Sequence, residues 1–226
     1  MCVCKESRIY LERVLVMEIN ISNVNKNIKG VEILRDVSLK MVGGKIYGIQ
    51  GVNGSGKTML MRAICGLIRT DNGEIKINDK IIGKDLEFPE SVGVLIEKPG
   101  LIDNYTAMQN LKLLADIRKK TTDQELREFL IKLKLDPDDK RKVKKFSLGM
   151  RQKVGIAQAF IDNPDLLILD EPFNALDSEA VEILKNVLKE YINKDRIILL
   201  SCHSREILEE VCDEIFKMEE GKIVEK

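Results

Sequence analysis

The chain has one histidine, no excess of either charge and no long apolar run, and each scarcity excludes something. Lysine plus arginine and aspartate plus glutamate both number 37 in 226 residues. No net field therefore draws the protein to nucleic acid or to an anionic membrane, and nucleic acid is not an expected partner. The longest aliphatic stretches, such as Leu166 to Leu169 and Ile197 to Leu200, fall far short of the ~20 residues that a membrane-spanning helix needs. No signal peptide is legible, because the apolar "VLV" near the N-terminus is flanked by Glu12, Arg13 and Glu18. A cytosolic location is the expectation.

Cysteines number five, an odd count that suits free thiols better than a disulfide framework. Cys65, Cys202 and Cys212 lie in apolar segments, where a thiol packs as a small hydrophobe. Cys2 and Cys4 form a CxC with no second ligand pair near it, which is too little for a metal site. The lone histidine, His203, follows the apolar run in "IILLSC"; on its own it reads as a surface or satisfied side chain.

With 44% apolar residues the chain can bury the core of one large domain. Residues 1–16 read as an extension ahead of a single domain at 17–226, because the first strand pattern, "MEINISNV", begins at Met17. "VEILRDVSLKMVGGKIYGIQ" alternates, turns at Gly43 and Gly44 and resumes at Ile46; with the hairpin in "GEIKINDKII" it reads as an antiparallel layer. Helical periodicity follows, with Leu111, Leu114 and Ile117 on one segment and Leu126, Phe129, Leu130 and Leu133 on another. Thr122 and Glu125 form a capping box, and "DPDDKRKVKK" reads as a solvated loop. The last third alternates buried strands ("LLILD", "RIILL") with helices ("SEAVEILKNVLKEYI", "REILEEVC") and closes on a hairpin near Glu220 and Gly221. That order implies a mostly parallel sheet covered on both faces, an α/β fold.

"GVNGSGKT", Gly51 to Thr58, fits GxxxxGK[ST] without a mismatch, between the strand "KIYGIQ" and the helix "MLMRAICGLI". Gly51, Val52, Asn53, Gly54, Ser55 and Gly56 let successive amides turn toward phosphate oxygens at a helix N-terminus. Lys57 is expected on the terminal phosphates, Thr58 on Mg²⁺, and Met59 beside the nucleotide. Asp170 ends an aliphatic strand, so its carboxylate belongs at the sheet edge beside the phosphate loop. Asp170 then serves Mg²⁺ and Glu171 polarises the attacking water. An acidic pair at a strand end, taken alone, is usually a solvated turn.

Together these motifs resemble the ATP-binding cassette (ABC) ATPases from about Met17 to the C-terminus. The resemblance implies a P-loop NTPase core with a mostly parallel sheet, an antiparallel β subdomain and a helical subdomain inserted at about 98–160. "FSLGMRQKVGIAQA" looks like the family's signature segment, with Ser147 and Gly149 at its phosphate-contacting positions and Leu148 and Met150 replacing the more usual Gly and Gln. Asn174, Ala175, Leu176 and Asp177 match its D-loop, and His203 its switch histidine. Two departures stand out. Glu97 replaces the usual glutamine as a metal contact, and Ile28 takes the place of an aromatic residue that commonly stacks on adenine. Glu97 and "SLGM" together make the chain look like the branch that exports bacitracin-type and lantibiotic peptides.

The implied function is ATP hydrolysis by a nucleotide-binding subunit on the cytoplasmic face of the cell membrane. Its implied partners are a membrane permease and a second nucleotide-binding domain, identical or related. The segment "LIDNYTAMQNL" matches the surface on which such ATPases receive a permease, or else it covers the insert's own core. A soluble ABC protein acting on ribosomes or DNA is the alternative, against which stand the single motif set and the lack of a heptad array. A nucleotide-gated module with little turnover is a further reading, raised by Glu97.

Overall fold

A serine, a glutamate or a histidine at a strand end is placed by the order of its neighbours, so the order of strands determines which motifs meet. The structure, a computed structural model, describes residues 16–225. Apart from Val16, the expected extension lies outside the described residues, as do Cys2 and Cys4. In chain order the elements are β1 (Glu18–Ile28), β2 (Val31–Val42), β3 (Lys45–Gln50), α1 (Lys57–Ile64), β4 (Asn72–Ile77), β5 (Lys80–Ile81), β6 (Val92–Leu95), α2 (Ala107–Arg118), α3 (Asp123–Lys132), α4 (Leu148–Ala159), β7 (Leu166–Leu169), α5 (Ser178–Tyr191), β8 (Ile197–Cys202), α6 (Arg205–Val211), β9 (Glu214–Glu219) and β10 (Lys222–Glu225).

One sheet, ordered β2-β1-β4-β5, is antiparallel. The other runs β10-β9-β3-β8-β7-β6 and is parallel except for the terminal β9–β10 hairpin. The fold is therefore α/β, with a mostly parallel sheet, an antiparallel sheet and helices. One expectation is corrected: "KIYGIQ" does not belong to the antiparallel layer. Its central residues are all buried, as suits a parallel strand with both faces covered, and β3 lies between β9 and β8. Gly43 and Gly44 hand the chain from one sheet to the other, their N–H groups donating to the Met17 and Arg196 carbonyls.

Alternation along β7 and β8 joins two cores. Leu166, Ile168, Ile197 and Leu199 face the antiparallel sheet and α1, where they meet Ile19, Ile21, Met41 and Leu60. Leu167, Leu169, Ile198 and Leu200 face the helices, where they meet Leu111, Leu130, Val154 and Leu184. Each such side chain, fully buried, contributes roughly 1.5–3 kcal/mol, so the edge that carries the motifs rests on a stiff support.

The helical region departs from its sequence pattern in one place. Leu111 is buried, but Leu114 and Ile117 are exposed, Ile117 by 74%. Buried Ala107, Asn110 and Ala115 take the inner face of α2 instead. Thr122 and Glu125 form the expected reciprocal cap on α3. The charged loop "DPDDKRKVKK" is pinned by fully buried Val143, inside a short 3-10 turn at Val143–Lys145.

Candidate functional site

Between β3 and α1 the chain makes a turn that side chains disfavour. Gly54 (φ 81°) and Gly56 (φ 108°) are left-handed, and Gly56 occupies the position before α1 without a side-chain cap. The first-turn amides of α1 are thus left for a ligand, and no acidic side chain occupies that turn. A Cβ on Gly56 would stand 2.9 Å from the Ile33 carbonyl, so the loop packs too closely against β2 for any larger residue. The Lys57 ammonium, 6% exposed, donates to the carbonyls of Gly51 (2.6 Å) and Val52 (3.2 Å). The hydroxyl oxygen of Ser55 is buried without a hydrogen-bond partner among the described residues.

These residues border a depression of about 250 Å³ lined by Asn53 to Met59, Asp170, Glu171 and Ile33. Gly51, Val52 and His203 border an adjoining one. Ile33 is a lining residue that sequence reasoning missed: its place in β2 gives no sign that the strand crosses the phosphate loop. Ile28, expected near the base, is not among the residues that line either depression.

β7 delivers the carboxylates. Thr58 Oγ1 donates to Asp170 Oδ2 at 2.7 Å, and Ser201 Oγ donates to Asp170 Oδ1 at 2.6 Å. Glu171 is left-handed (φ 49°), and its N–H donates to Ser201 Oγ at 2.9 Å. Its Oε1 lies 3.0 Å from His203 Nε2 and 3.8 Å from Lys57 Nζ. The histidine contact is close but lacks hydrogen-bond geometry, so Oε1 is a buried acceptor with no donor among the described residues. Burial pushes the Glu171 carboxyl above the ordinary glutamate range, against the opposing pull of His203 and Lys57.

The donor set suits Mg²⁺. Thr58 and Asp170 present hard oxygens side by side, and the described residues contain no larger group of metal-ligating side chains. One carboxylate, one hydroxyl and substrate phosphates are what this ion ordinarily takes. Glu97, expected as a third ligand, is not brought to this pair. Its side chain is 57% exposed, its backbone is left-handed (φ 60°), and Arg62 of α1 donates to its carboxylate at 2.8 Å. The pair is solvent-exposed, and Glu97 is not among the residues that line the depression.

The signature and D-loop residues have work within their own chain. Ser147 caps α4, its hydroxyl accepting from the Met150 N–H at 3.2 Å. A Cβ on Gly149 would stand 2.6 Å from the Ala175 carbonyl, so the glycine is required by contact with the D-loop. Ala175 is itself left-handed, and Asp177 caps α5. Leu148, 70% exposed, and Met150 stand with them at the start of α4. Gln152 of the same helix donates to the carbonyls of Glu171 (3.2 Å) and Pro172 (3.3 Å), a link that sequence reasoning missed.

The ABC transporter family's sequence profile matches residues 34–174. Among curated relatives, the chain is 39% identical to the uncharacterized ABC transporter ATP-binding protein YybJ of Bacillus subtilis (strain 168), covering 91% of this chain and 94% of that one. It is 34% identical to the lantibiotic transport ATP-binding protein SrtF of Streptococcus pyogenes (91% and 89% covered). With the bacitracin transport ATP-binding protein BcrA of Bacillus licheniformis the identity is 36%, over 81% of this chain and 60% of the relative. Among solved structures, an ATP-binding subunit of an ABC transporter superposes with a TM-score of 0.82 at 28% identity, covering 91% and 87% of the two chains. A phosphate-binding loop, a carboxylate pair at the parallel edge, full-length relatives and a superposable subunit all agree: the chain belongs to the ABC transporter family, as an ATP-binding subunit with the ATPase fold and activity of that family.

Proposed function

We propose that the chain powers export of a peptide or antibiotic-like substrate through a separate membrane permease, with Glu171 as the base of ATP hydrolysis. The observation that carries the base assignment is its Oε1, a buried acceptor without a donor beside the phosphate loop and Lys57. The loop amides and Lys57 bind and orient the phosphates. Thr58 and Asp170 would hold Mg²⁺, which when bound offsets phosphate charge. Glu171 Oε1 accepts a proton from water as the water oxygen bonds to the γ-phosphorus and the bond to the ADP oxygen breaks. His203 stands beside that carboxylate at the same sheet edge, where its imidazole can contact the γ-phosphate and sense its loss.

In this reading residues 17–226 are one ABC ATPase domain with a helical subdomain at about 98–160, attached to the cytoplasmic face of the membrane. A second nucleotide-binding domain meets it so that Ser147, Leu148, Gly149 and Met150 of one chain cap the nucleotide of the other. The exposed Leu148 at the start of α4 supports a contact there. Permease docking is supported by exposed Ile102 and Tyr105 in the segment before α2. The transport names carried by the lantibiotic and bacitracin relatives support a peptide substrate. No described helix is long and apolar enough to cross a membrane, and in this reading a separate permease supplies the path for substrate.

Affinity purification of the tagged full chain from detergent-solubilised native membranes tests this reading. A stoichiometric protein with several membrane-spanning helices is expected to travel with it. Ribosomal proteins in its place would support the soluble alternative.

A further inference from the structure

The strand between the phosphate loop and the carboxylates carries a polar residue that neither motif includes. β8 pairs with β3 on one side and β7 on the other, and its register sets Leu200 opposite Leu169 and Cys202 opposite Gln50. Ser201 therefore falls beside Asp170, at the meeting point of both motifs. It is fully buried, and its one proton goes to Asp170 Oδ1 while a lone pair accepts from the Glu171 N–H.

Two needs converge on that hydroxyl. Asp170 has one hydrogen-bond donor on each carboxylate oxygen, Ser201 on Oδ1 and Thr58 on Oδ2. Fixing Oδ1 on β8 leaves Oδ2 turned to Thr58, where the metal-binding oxygens sit. Glu171, a side-chain-bearing residue in the left-handed region, costs about 1–2 kcal/mol and persists only when neighbours over-determine it. Ser201 grips its N–H and Gln152 its carbonyl.

We infer that Ser201 is a positioning residue for hydrolysis: its hydroxyl aims Asp170 Oδ2 at the metal-binding corner and holds the Glu171 backbone in its left-handed turn. The inference rests on the reading of Asp170 and Glu171 given above. It predicts damage confined to the Mg²⁺-dependent part of nucleotide binding and to turnover, because the side-chain hydrogen bonds of Ser201 go to Asp170 and Glu171 and not to the P-loop amides or Lys57.

The test compares the full chain with Ser201→Ala and Ser201→Thr, using a fluorescent non-hydrolysable ATP analogue and steady-state phosphate release. For Ser201→Ala, analogue affinity in EDTA stays within about twofold of the parent. The Mg²⁺ concentration for half-maximal enhancement of binding rises about tenfold, and kcat falls about tenfold or more with KM for ATP within about threefold, the scale of one hydrogen bond to a charged group. Ser201→Thr, which keeps the hydroxyl, restores both. Should the alanine variant not fold, Ser201→Cys, similar in size but a weak donor, is expected to show the same pattern. Parent-like Mg²⁺ titration and kcat in the alanine variant would overturn the inference, as would equal loss in the alanine and threonine variants. A parent chain that binds the analogue with Mg²⁺ but releases no phosphate would instead remove the hydrolytic reading, and the Mg²⁺ titration alone would then decide whether Ser201 steers Asp170.

Discussion

Glu171 Oε1 and His203 Nε2 lie 3.0 Å apart across the ends of two adjacent parallel strands, within reach of the Lys57 ammonium. The contact joins the lone histidine to a carboxylate with a buried oxygen that lacks a donor among the described residues.

A pH profile of turnover follows from that environment. Glu171 works as a base only when ionised, and burial lifts its pKa above the ordinary value. The acid limb of kcat/KM, which reports the free enzyme, is expected to have its midpoint above the ~4.3 of a solvated glutamate. His203 pulls in the opposite direction, so His203→Ala moves the midpoint further up. Phosphate release measured between pH 4 and 8 for both proteins checks the order, since a midpoint at or below the solvated value contradicts it.

The same shift acts on stability. A carboxyl whose folded pKa is raised binds its proton more tightly in the folded state. Its contribution is therefore full below the unfolded value of ~4.3 and is lost as pH rises through the raised folded value. At neutral pH the buried anion is a net cost, and Glu171→Gln is expected to raise the melting temperature there. The gain should vanish near pH 4. Denaturation scans at the two pH values measure it, and a variant less stable than the parent at pH 7 would contradict the sign.

Gly149 offers a purely steric prediction. Alanine would gain helix propensity of up to ~1 kcal/mol, but its methyl group would meet the Ala175 carbonyl at 2.6 Å. Displacing D-loop backbone costs about 1–3 kcal/mol, so the clash wins. Gly149→Ala is expected to lower thermal stability and to disturb residues 174–177 with α5. A variant as stable as the parent, with unaltered amide exchange at Ala175, would mean that the loop yields without cost.

Much of this was legible from the chain alone because the signals were local. The P-loop announces itself in eight consecutive residues, and the fully aliphatic "LLIL" needs a buried parallel strand. What stayed hidden depends on register between distant segments. Ser201 gives no signal inside "IILLSC" until β8 is known to lie between β3 and β7. Ile33 and Gln152 likewise act across elements. Glu97 pairs with Arg62, a contact that spacing does not predict. Leu114 and Ile117 fit a helical stripe, yet the inner face of α2 is formed by Leu111 with the smaller Ala107, Asn110 and Ala115.

Steady-state release of inorganic phosphate from ATP and Mg²⁺, measured for the parent chain and for Glu171→Gln with analogue binding monitored alongside, tests the central claim most directly. The account predicts turnover in the parent, a loss of about 10²–10⁴-fold in the variant and retained nucleotide binding. Equal turnover in the two proteins would contradict it.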